Sequence, residues 1–201
     1  ILKPKSTSWI AFKHPSSIHF TTDASAIRLK IRTVVTCYTQ FFCMDVYADK
    51  TCIGTIQNYP EDMEETGYID RPFENGEYSA AFELPSGSHA VEVYFPWSLQ
   101  TELLELELEN ASFLEPVKPK KQFLLYGGSV SQGTAAQNPS ETYGVKLSQW
   151  LESEFVCKSV GSEVYFPELA ECKSENLAPD YIMAAYGSND WYNLTYEDAR
   201  Q

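Results

Sequence analysis

The sequence has little positive charge. Its 201 residues contain 15 Lys and Arg against 28 Asp and Glu, which gives a formal net charge of −13 at pH 7. Proteins that bind nucleic acid or anionic membranes need clusters of Lys and Arg to neutralise phosphate charge. The composition therefore argues against both partners and favours a neutral or uncharged ligand.

Long apolar runs are missing as well. No segment approaches the roughly 18 apolar residues that span a membrane as a helix, so we expect no membrane partner. The chain also starts at Ile1 without a signal-like segment. We expect a cytoplasmic protein, with secretion as the alternative if a signal peptide has been removed.

Histidines and paired cysteines are scarce. The histidines are His14, His19 and His89, and the five cysteines show no C-x-x-C spacing. Structural zinc sites use such pairs, so we expect no metal site. Because most of the cysteines lie in apolar runs, they are typical of free thiols in a reducing compartment.

Residues 1–115 have the pattern of an all-β domain. From Trp9 to about Phe113, apolar residues alternate with polar ones between turn signals, which is typical of half-buried antiparallel strands. The clearest apolar positions are Ile27, Leu29, Ile31, Leu104, Leu106 and Leu108. About eight such runs predict a sandwich of two sheets, most simply a jelly roll.

A change of pattern at residues 116–121 predicts a linker, because this segment is rich in Pro and Lys. The run that follows it, Gln122–Tyr126, is almost wholly apolar, and Tyr181–Tyr186 is similar. Continuous apolar strands are typical of parallel sheets that are covered on both faces. Phe155–Val160 is a further short strand.

Helical patterns separate these strands. One helix is predicted after a cap at Ser140, and another over Phe166–Cys172. The apolar positions of the first helix are Tyr143, Leu147, Trp150 and Leu151. Residues 122–201 therefore predict a β-α-β-α-β unit with right-handed crossovers.

The first apolar strand leads directly into the motif Tyr126-Gly127-Gly128-Ser129-Val130-Ser131-Gln132-Gly133. A strand followed by glycines makes a tight turn, which lifts the Ser129 hydroxyl to the carboxyl edge of the sheet, where α/β proteins place their sites. Backbone N–H groups at such a turn can face a developing oxyanion. The alternative is that Gly-Gly-Ser is only a turn.

Two further blocks follow the other two strands. They are Ser159-Val160-Gly161-Ser162-Glu163 and Tyr186-Gly187-Ser188-Asn189-Asp190-Trp191. Taken singly, Gly161 could be a loop glycine and Asn189-Asp190 a helix cap. Their order and spacing, at the ends of successive parallel strands, favour a common site.

Together the three blocks resemble those of the SGNH (GDSL-like) hydrolases, over residues 122–201. Gly127, Ser129 and Gly133 match the family's first block, G-D-S-x-x-x-G, whereas Gly128 stands where the family generally has Asp. The resemblance implies a flavodoxin-like, three-layer α/β fold with Ser129 as the nucleophile.

The resemblance also implies an oxyanion hole. Its donors would be the backbone N–H groups of Ser129 and Gly161 and the side-chain amide of Asn189. A shift of one residue in the second block would make Ser162 the donor in place of Gly161.

In this family the serine is activated by a histidine in a C-terminal D-x-x-H block. No histidine follows His89, and no D-x-x-H follows Asn189. We therefore expect the chain to be the N-terminal portion of a longer enzyme, with an incomplete hydrolase domain that is inactive alone. The missing C-terminal part, or a second copy of the chain, would then be a partner.

The activity implied by the resemblance is ester hydrolysis through an acyl-enzyme on Ser129, with no metal or organic cofactor. The sandwich is similar to N-terminal domains of some carbohydrate-acting SGNH esterases, which favours short-chain esters, such as acetyl groups on carbohydrate. A noncatalytic carbohydrate-binding protein with a relic α/β unit is one alternative. A lipid or thioester acylhydrolase is the other.

Two aromatic segments bear on the ligand. Phe95-Pro96-Trp97 and Trp191-Tyr192 would form a platform for a sugar ring, or would pack at the boundary between the domains.

Overall fold

The structure is a computed structural model that describes residues 10–12, 16–34, 41–59, 75–117, 120–134, 136–165, 167–168 and 177–193. The described part is mostly β-structure with few helices. It forms two compact units, of which the first comprises Ile1–Lys118 and Gln137–Ser140. The second comprises Pro119–Ala136 and Glu141–Gln201.

Nine strands lie in the described part of the first unit. They are β1 Ile10–Phe12, β2 Ser17–Thr22, β3 Ala26–Val34, β4 Cys43–Ala48, β5 Thr51–Gln57, β6 Gly76–Glu83, β7 His89–Tyr94, β8 Gln100–Glu109 and β9 Leu114–Pro116. They form a four-stranded sheet in the order β1-β8-β3-β6 and a five-stranded sheet in the order β5-β4-β7-β2-β9. All the pairings are antiparallel. The predicted pair of sheets is therefore present, and the jelly-roll connectivity stays a prediction.

The core lies between the two sheets. Ile27, Leu29 and Ile31 of β3 are buried in one cluster with Val46 of β4 and Val93 of β7. Alternation along β3 places Arg28, Lys30 and Arg32 on the other face, where they pair with glutamates of β6 and β8. The predicted half-buried strand, with one face in the core and one exposed, is confirmed for β3.

Strand β8 departs from strict alternation. Its register against β3 shifts so that Lys30 pairs with Glu105 but Ile31 pairs with Leu103. An extra residue of this kind is a β-bulge, which reverses the faces on one side of it. Leu103, and not the predicted Leu104, consequently packs against the core together with Leu106.

A buried carboxylate holds the segment 137–140 in the first unit. Asp45 on β4 is fully buried and accepts hydrogen bonds from Asn138 Nδ2 at 2.7 Å and from the Ser140 N–H at 3.0 Å. The Cys43 thiol donates to the same carboxylate, and its pKa is raised well above the usual range by burial and by Asp45. A buried carboxylate needs such donors, because unpaired it would be costly.

The second unit contains a parallel sheet in the order β11-β10-β12. The strands are β10 Gln122–Gly127, β11 Glu154–Cys157 and β12 Tyr181–Ala185. The helices are α1 Ser129–Gln132, α2 Tyr143–Trp150 and α3 Ser188–Asn193, and a 3-10 turn covers Pro139–Glu141. The three predicted strands are confirmed as parallel neighbours, whereas the predicted helix over Phe166–Cys172 falls largely outside the described residues.

Helix α2 differs from its prediction at both its start and its buried face. Its N-cap is Thr142, and Ser140 lies in the 3-10 turn before it. The buried residues are Gly144, Val145 and Ser148, whereas Trp150 is 87% exposed. Small residues let the helix approach the sheet closely, a packing that a search for large apolar side chains overlooks.

No helix in the described ranges is long and apolar enough to cross a membrane.

A surface ion pair gives the first unit a testable dependence on pH. His89 Nδ1 lies 2.6 Å from Asp49 Oδ2, and His89 Nε2 lies 3.1 Å from the Pro85 carbonyl oxygen. Both neighbours are acceptors, so the protonated imidazolium, which donates from both nitrogens, fits best. The bond to Asp49 raises the pKa of His89 above its usual 6.5, and the bond to His89 lowers the pKa of Asp49 below its usual 3.8.

We predict that the coupling between His89 and Asp49 weakens at alkaline pH. The raised pKa of His89 contributes stability below 6.5 that disappears as the pH rises through the folded-state pKa. The lowered pKa of Asp49 contributes stability above 3.8 that disappears only in acid. A double-mutant cycle with His89→Gln and Asp49→Asn, measured by chemical unfolding, should give a coupling energy at about pH 5.5 that is clearly smaller near pH 9, where the neutral imidazole keeps one N–H donor. An equal coupling at both values would contradict this account.

Candidate active site

The three predicted blocks lie at one edge of the parallel sheet. Strand β10 pairs with β11 on one side and with β12 on the other, all in the same direction. The segments that leave the carboxyl ends of the three strands therefore emerge side by side. Ser129 follows β10, Gly161 follows β11 and Asn189 follows β12.

Ser129 begins α1 directly after two buried glycines. A β-carbon built on Gly127 would lie 2.3 Å from Ser131 Oγ and 2.7 Å from the backbone oxygen of Ala185 in β12. No side chain fits there, so the first glycine of the motif is required by close packing. The single helical turn ends at Gly133, whose φ of 125° is a conformation that favours glycine.

Gly161 lies next to Ser129. The segment after β11 stays bonded to β10, through Lys158 N–H to the Leu125 oxygen at 2.8 Å and Val160 N–H to the Gly127 oxygen at 3.0 Å. These bonds bring the next residue, Gly161, to the turn that carries Ser129. A β-carbon built on Gly161 would be 3.9 Å from the Ser129 β-carbon, so Gly161 packs against the turn that carries the serine.

Asn189 reaches the same turn from the other side. A β-carbon built on Gly128 would lie 2.8 Å from Asn189 Nδ2. The absence of a side chain at Gly128 therefore leaves the space in which the Asn189 amide lies. This departure from the motif is accommodated by the packing around Asn189.

The neighbours of Asn189 come from the second block. Asn189 Nδ2 donates to the backbone oxygen of Glu163 at 2.9 Å, and the Glu163 carboxylate accepts a 2.8 Å bond from the Tyr186 hydroxyl. Burial, together with this carboxylate, raises the pKa of Tyr186 well above its usual range. Tyr186 therefore keeps its proton at neutral pH and remains a donor.

Two residues that the sequence did not assign to the oxyanion site also belong to this edge. Gln132 Oε1 accepts the Gly161 N–H at 3.0 Å. Asp190 accepts the N–H groups of Tyr165 and Gly187, at 2.8 and 2.9 Å. For Gln132 the signal was available, because residues three apart on a helical turn lie on the same side and Gln132 is three residues after Ser129.

Two exposed aromatic side chains belong to the segments that carry Gly161 and Asn189. Trp191 is 68% exposed and Tyr165 is 53% exposed, and the ring of Tyr165 contacts Tyr186 edge-on. In the first unit, Phe95 and Trp97 are buried, so those two rings do not offer a sugar platform. Of the predicted aromatic segments, the one at Trp191 is available to a ligand.

The described histidines, His19 and His89, lie in strands β2 and β7 of the first unit. His19 is 2.8 Å from Ser17 Oγ and contacts the ring of Tyr94. His14 falls outside the described residues. Within the described ranges, no group of three or more His, Cys, Asp or Glu side chains is arranged to hold a metal ion.

Comparison with known proteins shows similarity in structure. No protein-family model and no curated protein matches the chain. Among solved structures, the salicylyl-acyltransferase SsfX3 of a tetracycline biosynthetic pathway matches with a TM-score of 0.64 and 22% identity, over 88% of this chain and 49% of that one. A family two carbohydrate esterase from Cellvibrio japonicus matches with 0.61 and 19%, over 93% and 63%.

A third structure, assigned as a GDSL-like lipase from Bacteroides ovatus, has a TM-score of 0.62 and 17% identity, over 86% of this chain and 51% of that one. The chain thus spans about half to three fifths of the length of these proteins. At such low identity the similarity concerns the fold. The chain shares its fold with these proteins, one of which is named a GDSL-like lipase, and this confirms the resemblance seen in the sequence.

We predict that Asp190 holds the turn that carries Asn189. Replacement by Ala removes two hydrogen bonds to backbone N–H groups and should lower the free energy of unfolding by about 1–2 kcal/mol. The Tyr165 and Gly187 amides should exchange faster with deuterium, while Asp190→Asn, which keeps one acceptor oxygen, should fall between. Unchanged exchange at both amides in Asp190→Ala would show that the turn is held by other contacts.

Proposed function

We propose that this chain carries the nucleophile and the oxyanion donors of a serine esterase. One observation carries the proposal. Gly161 and Asn189, from two different strand ends, lie against the turn that presents Ser129. A β-carbon built on Gly161 would be 3.9 Å from the Ser129 β-carbon, and Asn189 Nδ2 is 2.8 Å from the β-carbon position of Gly128. A hydroxyl nucleophile with N–H donors on two sides is the arrangement that acyl transfer requires.

The reaction proposed is acyl transfer in two steps. A base removes the Ser129 proton as Oγ attacks the ester carbonyl carbon, and the carbonyl oxygen takes the negative charge. That oxygen is held by the N–H groups of Ser129 and Gly161 and by the Asn189 amide. Collapse of the tetrahedral intermediate breaks the bond to the alcohol, which leaves with the proton from the base. Water then attacks the acyl-enzyme in the same way and releases the acid.

The proposal assigns no base to residues 122–201. The family uses a histidine, and no histidine follows His89 in this sequence. A serine hydroxyl without a base is a weak nucleophile. We therefore propose that the 201 residues alone do not hydrolyse esters, and that Ser129 needs a base from elsewhere in the assembled enzyme.

The substrate class proposed is a short-chain acyl ester on carbohydrate. Trp191 follows Asn189 by two residues, the Tyr165 N–H is bonded to Asp190, and both rings are exposed. Flat aromatic faces suit the apolar face of a sugar ring. One similar structure is named a carbohydrate esterase. The formal charge of −13 also suits an uncharged substrate better than an anionic one.

Acyl transfer to an acceptor other than water is the second candidate, because a similar structure is named a salicylyl-acyltransferase. The nucleophile and the oxyanion donors would be the same in both reactions, and only the second acceptor differs. Product analysis with and without an added alcohol separates them, since a transferase forms a new ester and an esterase forms free acid.

The last strand of the described sheet exposes apolar side chains. Ile182 is 65% exposed and Met183 is 38% exposed on β12. This surface supports our expectation that more protein covers the sheet, whether a further part of the same domain or a second copy.

We predict that Ser129 is the residue that becomes covalently modified. In the full-length natural protein, Ser129→Ala should abolish labelling by a fluorophosphonate probe and reduce p-nitrophenyl acetate hydrolysis to background, because the acyl-enzyme cannot form. The matched control is Ser131→Ala, two residues away. Ser131 is buried, and its oxygen accepts a 2.5 Å bond from the Tyr143 hydroxyl, so labelling should persist. Labelling that survives Ser129→Ala would refute the assignment.

A further inference from the structure

One of the proposed oxyanion donors already has a partner within the chain. The Gly161 N–H donates to Gln132 Oε1 at 3.0 Å. That acceptor is an amide carbonyl oxygen, which has the same geometry and hydrogen-bonding chemistry as the carbonyl oxygen of an ester. The Gln132 side chain therefore places a carbonyl oxygen where the substrate carbonyl oxygen would bind.

The local fold delivers this side chain to the serine. Gln132 is the last residue of α1, three positions after Ser129, and residues at this spacing lie on the same side of a helical turn. Its N–H is bonded to the Gly128 oxygen at 3.0 Å, which fixes its backbone within the nucleophile turn. A β-carbon at Gly161 would be 3.4 Å from Gln132 Oε1 and 3.9 Å from the Ser129 β-carbon, so all three groups meet in one place.

The Gly161 N–H and Asn189 Nδ2 differ in the number of hydrogens that they can donate. Asn189 Nδ2 is bonded to the Glu163 oxygen at 2.9 Å, and an amide nitrogen carries two hydrogens. A backbone N–H carries only one. The substrate oxygen and Gln132 Oε1 therefore compete for the Gly161 hydrogen.

We propose that Gln132 is an internal competitor of the substrate, whose carboxamide occupies the Gly161 donor until an ester carbonyl displaces it. The proposal rests on the function proposed above. Every productive substrate must break this bond, and the loss is the same for each acyl group because only the carbonyl oxygen is exchanged. Gln132 therefore lowers kcat/KM for every ester by the same factor and leaves the ratio between substrates unchanged.

The main test is Gln132→Ala in the full-length natural protein. Removing one competing hydrogen bond should raise kcat/KM by roughly three- to tenfold, mainly through a lower KM, and by the same factor for p-nitrophenyl acetate and p-nitrophenyl butyrate. Gln149→Ala, an exposed glutamine on α2, is the matched control and should leave kcat/KM unchanged. A factor that depends on acyl length would place Gln132 in the acyl pocket and overturn the proposal, as would a lower kcat with unchanged KM.

Gln132→Glu gives an independent test. A carboxylate accepts the Gly161 hydrogen more strongly and also repels the developing oxyanion. We expect kcat/KM below wild type at neutral pH, with the ratio to wild type recovering as the pH falls toward the usual Glu range near about 4.3. A ratio that stays constant with pH contradicts competition at this donor.

A third readout does not depend on turnover. Deuterium exchange at the Gly161 amide should be faster in Gln132→Ala than in wild type, and unchanged exchange overturns the proposal whatever the activity. The two proposals fail separately. If Ser129→Ala leaves turnover intact, the proposed function is wrong, whereas loss of turnover in Ser129→Ala with no gain in Gln132→Ala rejects only the role of Gln132.

Discussion

The candidate site depends on the position of β10 between two parallel partners. Hydrogen bonds to β11 on one side and to β12 on the other align three chain segments that are far apart in sequence. The alignment continues beyond the strand itself, since the Val160 N–H bonds to the Gly127 oxygen at 3.0 Å. Because all three strands point the same way, the residues after them share one edge. Ser129, Gly161 and Asn189 meet for this reason.

Close packing at the end of β10 then fixes the details. Gly127 has no room for a side chain against Ser131 and β12, and Gly128 leaves the space that the Asn189 amide occupies. Gly128 departs from the family's first block, which generally has Asp at this position. In the structure the missing side chain and the neighbouring amide fit together, so the substitution is compatible with a working turn. Gly127 could be predicted from the motif, but the relation between Gly128 and Asn189 needed coordinates.

Patterns with a simple period were predictable from the sequence. Alternation along β3 predicted which residues of this strand are buried. The continuous apolar runs predicted the positions of β10 and β12 to within one residue at each end. Departures from the period were not predictable. The bulge in β8 places Leu103 instead of Leu104 against the core. Helix α2 packs with its small residues Gly144 and Ser148, and not with the large apolar residues that define its predicted face. Both follow from packing between elements, which a local pattern does not contain.

The candidate site divides in the same way. The three blocks placed Ser129, Gly161 and Asn189 at strand ends. The spacing of Gln132 from Ser129 indicates a shared side of the helical turn, but the bonds to Gln132 and to the Glu163 backbone required coordinates. The partner of Gly161 matters because a backbone N–H has only one hydrogen to donate. The Gly161 N–H must leave Gln132 before it can stabilise an oxyanion.

We propose that a substrate carbonyl binds among these three strand ends. A crystal structure of the full-length natural protein after reaction with an alkyl fluorophosphonate tests this binding mode. We expect phosphorus bonded to Ser129 Oγ, with the phosphonyl oxygen within hydrogen-bonding distance of the Gly161 N–H and Asn189 Nδ2, and with the Gln132 side chain displaced. Phosphorus on another residue, or a phosphonyl oxygen that points away from both donors while Gln132 still holds the Gly161 N–H, would contradict it.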